Sequence, residues 1–106
     1  MTRQGAKREN VNDELFDWDD ANILHFAEHN VSPEEAEEVL IGDPLEMGFD
    51  WSELGESRWS YIGETLRGRV LQVVITMRGG RIRAVTAYRP TTRDEISYLE
   101  YRMERQ

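Results

Sequence analysis

The sequence predicts an α+β domain: two N-terminal helices, a four-stranded antiparallel sheet and a C-terminal helix. Three observations predict it. Helix start and stop signals bracket two segments between residues 19 and 42. From about residue 45 to 88 the apolar period changes to two. Helical spacing then returns over residues 92–104. Short connections between the strands imply antiparallel neighbours with helices packed on one face.

Each element has its own justification. Residues 1–12 are polar, with almost nothing to bury, and read as a disordered tail ahead of a single domain over 13–106. Phe16 and Trp18 anchor the chain entering the first helix, 19–29. Asp19 or Asp20 caps its start, and Asn30 suits the left-handed position after its end. Ala21, Ile23, Leu24, Phe26 and Ala27 give this helix an apolar face. In the second helix Ser32 is the N-cap, Pro33 the first helical residue and Glu35 the partner in a capping box. Glu34, Glu35, Glu37 and Glu38 place negative charge where the helix dipole favours it. Ala36, Val39 and Leu40 form the buried stripe, and Gly42 with Pro44 stops the helix. Strands are expected over 45–51, 57–64, 69–77 and 81–88, broken at Ser52–Glu56, Leu66–Gly68 and Arg78-Gly79-Gly80. Val70, Leu71, Val73, Val74 and Ile75 are apolar on both faces, which marks a central strand. In the final helix Thr92 and Glu95 make a second capping box, and Ile96, Leu99 and Met103 repeat at helical spacing.

Composition excludes several function classes. The chain of 106 residues has no cysteine. A disulfide scaffold, a thiol nucleophile and a cysteine-ligated metal are therefore ruled out. No apolar run approaches a membrane span, and the N-terminus lacks the apolar core of a secretory signal. A cytoplasmic protein with no membrane association is expected. The net charge of −8 argues against simple coating of nucleic acid. Its distribution is uneven. Residues 1–57 carry three cations and 16 carboxylates, whereas residues 58–106 carry ten arginines and five carboxylates. One domain with an acidic and a basic face follows, or basic strands paired internally with acidic helices.

Three constellations bear on chemistry. His25 and His29 lie one helical turn apart, and His25-Phe26-Ala27-Glu28-His29 matches the H-x-x-E-H pattern of inverted zinc peptidases. That short pattern occurs here without the larger scaffold and third ligand such enzymes need. The second is the set Arg58, Arg67, Arg69, Arg78, Arg81, Arg83, Arg89 and Arg93, with Tyr61, Tyr88 and Tyr98 interspersed. Arginine with aromatics on a sheet can clamp phosphates and stack bases. Strand period puts Arg81 and Arg83 on one side, and Arg58 can join them across the sheet in one continuous positive patch. Gly79-Gly80 lacks the Lys-Ser/Thr of a phosphate-binding loop. The third is the set Asp17, Asp19 and Asp20, which read as helix-capping carboxylates, with binding of a hard cation as the alternative.

Taken in order, several residues resemble the BrnT family of bacterial type II toxins. They are Phe16-x-Trp18-Asp19, Asn22, His25, His29-Asn30-Val31, Glu34-Glu35-Ala36, Asp43-Pro44-Leu45, Glu56-x-Arg58, Gly63, Arg78-Gly79-Gly80-Arg81-Ile82-Arg83, Thr86-Ala87 and Tyr98. The resemblance spans residues 16–101. It implies a RelE-like fold and an endoribonuclease that cleaves RNA without a metal or other cofactor. It also implies neutralisation by a BrnA-like, ribbon–helix–helix antitoxin, with DNA contacted only through the antitoxin complex. Matched residue by residue, it implies catalytic roles for His29, Arg58, Arg81 and Arg83, with Tyr88, Arg89 and Tyr98 at the RNA-binding edge. His29 would move protons and the arginines would hold the phosphate.

The chain departs from the family pattern in places. Glu28 and Asn30 flank His29 where the family carries a cation and a glycine, and Tyr88 stands where arginine is common. With the acidic balance, these departures motivate a second reading, a non-catalytic protein-interaction or operon-regulatory module on the same fold.

Overall fold

A computed structural model describes residues 12–51 and 55–106. The elements are α1 (Asn12–Leu15), α2 (Asp20–Glu28), α3 (Pro33–Ile41), β1 (Leu45–Trp51), β2 (Ser57–Glu64), β3 (Val70–Arg78), β4 (Arg81–Tyr88) and α4 (Thr92–Glu104). The strands pair antiparallel in sequence order, β1-β2-β3-β4, so β2 and β3 are interior. The expected α+β architecture is the one observed. The tail expected over residues 1–12 lies outside the described residues, apart from Asn12, which opens the short helix α1.

Local chemistry accounts for the element ends. Asp19 caps α2 by accepting from the Asn22 amide, while the Asn22 side chain accepts from Asp19, a reciprocal box. His29 is the C-cap, and Asn30 follows at φ 59, the left-handed conformation that asparagine tolerates. Ser32 and Glu35 form the predicted capping box of α3. Strand β3 starts at Val70, one residue later than the expected bound. Arg69 is taken by the preceding turn, where its amide donates to Thr65 Oγ1 and its carbonyl accepts from the Thr65 amide.

Helices α2 and α3 pack on one face of the sheet. Phe26, Val31, Ala36 and Val39 meet Leu71, Val73, Ile75, Ala84 and Ala87 in the core. Gly63 lets α3 approach β2. A β-carbon there would lie 3.0 Å from Val39 Cγ1 and 3.2 Å from its carbonyl. Glu37, drawn from the sequence as dipole-compensating charge, is buried, and the Trp18 indole donates to it at 2.8 Å. That bond ties the segment before α2 to α3.

Three expectations change. The apolar face of α2 narrows to Phe26, with Asn22 buried beside it and Leu24 left 64% exposed. This follows because α2 meets the edge strand β4 through a single stripe. The N-cap of α4 is Thr91, not Thr92, with its hydroxyl accepting from the Asp94 amide. Thr91 follows Pro90 in the extended conformation that a cap requires. The stripe Ile96, Leu99 and Met103 faces solvent, and Tyr98 is the residue α4 buries. The helix docks instead through Tyr98, Tyr101, Arg102 and Arg105, which reach Glu64 and Asp43.

Alternation along β2 puts Glu64 on the opposite side of the sheet from Gly63. Helix α4 therefore covers one end of the face that α2 and α3 leave free. The remainder of that face is open, and it carries the arginines.

Candidate active site

The open face owes its composition to one extra residue in β4. Val74 pairs with Thr86 and Ile75 with Ala84, so Val85 is bulged out. The bulge resets the alternation. Thr86 and Tyr88 consequently share a face with Arg83, although their numbers have opposite parity. Thr76 and Arg83 pair directly, as do Val74 with Ser60 and Thr86 with Val74. Arg58, two residues along β2 from Ser60, joins the same face.

Helix α2 closes one side. The buried Asn22 amide nitrogen donates to the Ala84 and Asp17 carbonyls at 3.2 and 3.0 Å. This clamps the start of α2, and the segment before it, to β4. His25, one turn further, is brought over the sheet, with Nε2 3.0 Å from Thr86 Oγ1 and Nδ1 3.9 Å from Glu28. The result is a cleft of about 240 Å³ between α2 and the sheet. His25 lies on its helical wall, and Arg58, Thr76, Arg78 and Arg83 on its sheet wall.

Each of the three arginines has a carboxylate partner within the chain. Arg83, with a side chain only 12% exposed, forks onto Asp19 with two contacts of 3.1 Å and reaches Asp17 at 3.4 Å. Arg78 stands 3.8 and 3.9 Å from the same two carboxylates, and Arg58 Nε donates to Glu56 at 3.2 Å. The hydrogen bonds from Arg83 hold the Asp19 carboxyl below its usual range, and Asp19 raises Arg83 in return. The expected continuous positive patch is thus a mosaic of arginines and carboxylates. Elsewhere Arg69, in the turn before β3, pairs with Glu35 of α3 in the same way.

The structure brings together Arg58 and Arg83 from the expected site, and places Tyr88 in a hollow that adjoins the cleft through Arg58. The other expected residues stand outside the cleft lining. Arg81 lies beyond Arg83 on the edge strand, where its guanidinium donates to the Phe16 carbonyl at 2.6 Å. His29 is exposed at the C-cap, its ring centroid 4.9 Å from that of His25. Arg89 lines a separate hollow with Arg69 and Glu95. Tyr98 is buried under α4, where its hydroxyl donates to Glu64 at 3.0 Å. Burial first, and Glu64 second, push its pKa up to about 12.

From the sequence His25 stood in the histidine pair, Arg78 in the arginine set and Thr86 in the family pattern without an assigned role in the site, and Asp17 and Asp19 read as helix-capping carboxylates. Asn22 carried a signal, as an asparagine at the third position of a helix whose cap is Asp19. The parity change that admits Thr86 carried none. Among the described residues, no three metal-ligating side chains converge. No helix among them is long and apolar enough to cross a membrane.

Comparison with curated proteins and with solved structures finds no match. A family model described as the ribonuclease toxin BrnT of a type II toxin–antitoxin system matches residues 18–95. That span runs from Trp18 to Glu95 and includes both walls of the cleft. The chain therefore belongs to the BrnT family of ribonuclease toxins, a membership that carries with it an RNA substrate and an antitoxin partner.

Proposed function

We propose that the chain is an endoribonuclease that cuts RNA without a metal, using the substrate's own 2′-hydroxyl as nucleophile. The observation that carries this reading is the convergence of Arg58, Arg78 and Arg83 on one wall of a cleft whose other wall presents His25. A scissile phosphate docked on the arginines would face the imidazole. His25 takes the proton of the 2′-hydroxyl as its oxygen attacks phosphorus. The extra negative charge of the pentacoordinate phosphorane falls on guanidinium groups that stay protonated throughout. The bond to the 5′-oxygen then breaks, that oxygen gains a proton from water in the open cleft, and a 2′,3′-cyclic phosphate remains. Asp17 and Asp19 hold Arg83 in place before substrate arrives, so little reorganisation accompanies binding.

In this reading Arg81 secures the N-terminal segment through Phe16, Tyr98 secures α4, and His29 and Arg89 lie outside the reacting centre. The antitoxin is of the BrnA-like, ribbon–helix–helix kind and supplies any contact with DNA. The protein acts in the cytoplasm.

The test is cleavage of an end-labelled structured RNA in excess chelator by wild type, His25→Ala and Arg83→Ala. Chelator-resistant cleavage yielding cyclic-phosphate ends, lost in both variants, is the expected result. Cleavage that requires added metal overturns the mechanism. A clean wild-type protein that binds RNA without cutting it favours the second reading, a non-catalytic interaction module. The pairing of all three cleft arginines with carboxylates of the same chain is the observation on that side.

A further inference from the structure

Beside the arginine cleft, and sharing Arg58 with it, lies a second open hollow of about 400 Å³ on the same sheet face. Its walls include Asp50, Ser60, Gln72, Val74 and Tyr88. Gly48 sits at its border on β1, and a β-carbon there would meet nothing within 4 Å, so that border is open. Tyr88 is 42% exposed and Val74 half-buried, which offers a flat ring beside an apolar surface. The Gln72 amide is buried and locked by a 2.6 Å hydrogen bond from its Nε2 to Ser60 Oγ.

Asp50 is the unusual member. The carboxylates around the arginine cleft are engaged by arginine, Asp17 and Asp19 by Arg78 and Arg83, and Glu56 by Arg58. Asp50 stands opposite Arg58 in the β1–β2 ladder, yet the Arg58 Nε turns to Glu56 instead. Among the described residues the Asp50 carboxylate has no ion-pair or side-chain hydrogen-bonding partner. A bare carboxylate next to a phosphate site repels the backbone it would accompany. It becomes favourable where it meets a base that presents donors.

We infer that this hollow is a nucleobase subsite selective for guanine, next to the scissile phosphate. The inference rests on the RNA-cleaving reading above. A carboxylate has two acceptor oxygens and no donor. Guanine alone among the four RNA bases presents two adjacent donors, N1–H and the 2-amino group, on its pairing edge. Adenine offers one donor beside one acceptor, cytosine one donor beside two acceptors, and uracil one donor between two acceptors. Splayed single-stranded bases stack on aromatic side chains while polar groups read their edges. Here Tyr88 supplies the stacking ring, Asp50 the two acceptors, and Ser60 and the Arg58 guanidinium are donors near the base's carbonyl side.

The test is fluorescence anisotropy with labelled 2′-O-methyl RNA tetramers, which cannot be cleaved, each carrying one of the four bases in an otherwise uniform uridine context. Wild type should bind the guanine tetramer at least about tenfold more tightly than the others. Asp50→Asn, an isosteric change at an exposed edge-strand position, should erase that preference and leave the other three affinities equal or higher. Equal binding of all four tetramers by wild type, or a guanine preference that survives in Asp50→Asn, overturns the subsite while leaving the cleft's role standing. Failure of wild type to bind any tetramer overturns both the subsite and the RNA reading. Tyr88→Leu offers a second check, expected to weaken all four tetramers about alike because stacking is tolerant of base identity.

Discussion

Replacing both Asp17 and Asp19 with asparagine should strengthen RNA binding and weaken the fold. The variant removes two negative charges beside Arg83 and keeps the shape of both side chains. Asparagine caps helices as well as aspartate, so the bond from the Asn22 amide to residue 19 persists. The carboxylates lie 3.1 and 3.4 Å from the Arg83 guanidinium. A phosphate oxygen docked on the far side of that group would then sit roughly 6 Å from each, one further charge-assisted hydrogen bond away. Two unit charges at about 6 Å repel by about 0.7 kcal/mol in bulk water and about 3 kcal/mol at a protein-surface dielectric. Salt near physiological strength screens part of this, which leaves about 1 kcal/mol per carboxylate in an open cleft. Together they predict a gain of about 2 kcal/mol, about 30-fold in the dissociation constant. The assay is anisotropy titration of a labelled RNA whose cleavable 2′-hydroxyl is replaced by hydrogen, at fixed salt. Stability should fall by about 1 kcal/mol, since Asp19 is half exposed and the lost pair is partly solvated. That contribution has a definite sign with pH. The Asp19 carboxyl titrates below its ordinary value of 3.8, so the stabilisation is present above that value and lost as pH falls through the lowered one. Unchanged or weaker RNA binding by the double variant would refute the reasoning. The phosphate would then not dock at Arg83.

Other outcomes follow from single contacts. His25→Ala should lower the cleavage rate by about 100-fold or more, while His29→Ala leaves it nearly unchanged. Initial rates on a labelled RNA decide this, and the reverse order would move proton transfer to the helix end. Gly63→Ala places a β-carbon 3.0 Å from Val39 Cγ1 and 3.2 Å from backbone, and should cost about 1–3 kcal/mol in a urea melt. A neutral result would mean that α3 can back away from β2. Tyr98→Phe should cost about 1–2 kcal/mol near neutral pH through loss of the bond to Glu64, with cleavage unaffected. In wild type this stabilisation is full below pH 10 and disappears between 10 and about 12, because the folded phenol binds its proton more tightly than the unfolded one. The variant should lack that alkaline step.

Much of the fold was legible because its signals are local. Ser32, Pro33 and Glu35 fix the start of α3 within a few residues, and Gly79-Gly80, both at positive φ, fix the β3–β4 turn. The strand order also followed from short connections. The docking of α4 was not legible. Ile96, Leu99 and Met103 have helical spacing, but the helix is held by polar tips on Tyr98, Tyr101 and Arg102 whose partners lie more than 30 residues away. Apolar periodicity cannot register such contacts. The candidate site was legible in part. Arg58 and Arg83 meet as strand period suggests. Arg81 shares their parity, yet it lies where the chain before α2 crosses the edge of β4, and it is drawn to Phe16.

The choice between the two histidines shows where residue patterns stop and geometry begins. His25 and His29 are one turn apart on the same side of α2, so no helical projection separates them. What separates them is the length of the helix. Asn30 enters the left-handed region and Val31 returns to the core, so the helix ends where His29 stands. His25, one turn earlier, still lies over β4, and the Val85 bulge turns Thr86 toward it. The acidic N-terminal half has a comparable explanation. Among the described residues, several of its carboxylates turn toward the arginines of the C-terminal half. Asp17 and Asp19 fold back onto Arg78 and Arg83, and Glu35 onto Arg69. Net charge along the chain therefore says little about the potential in the cleft. That potential depends on how far a docking phosphate can share guanidinium groups that already have partners, and the asparagine double variant measures this directly.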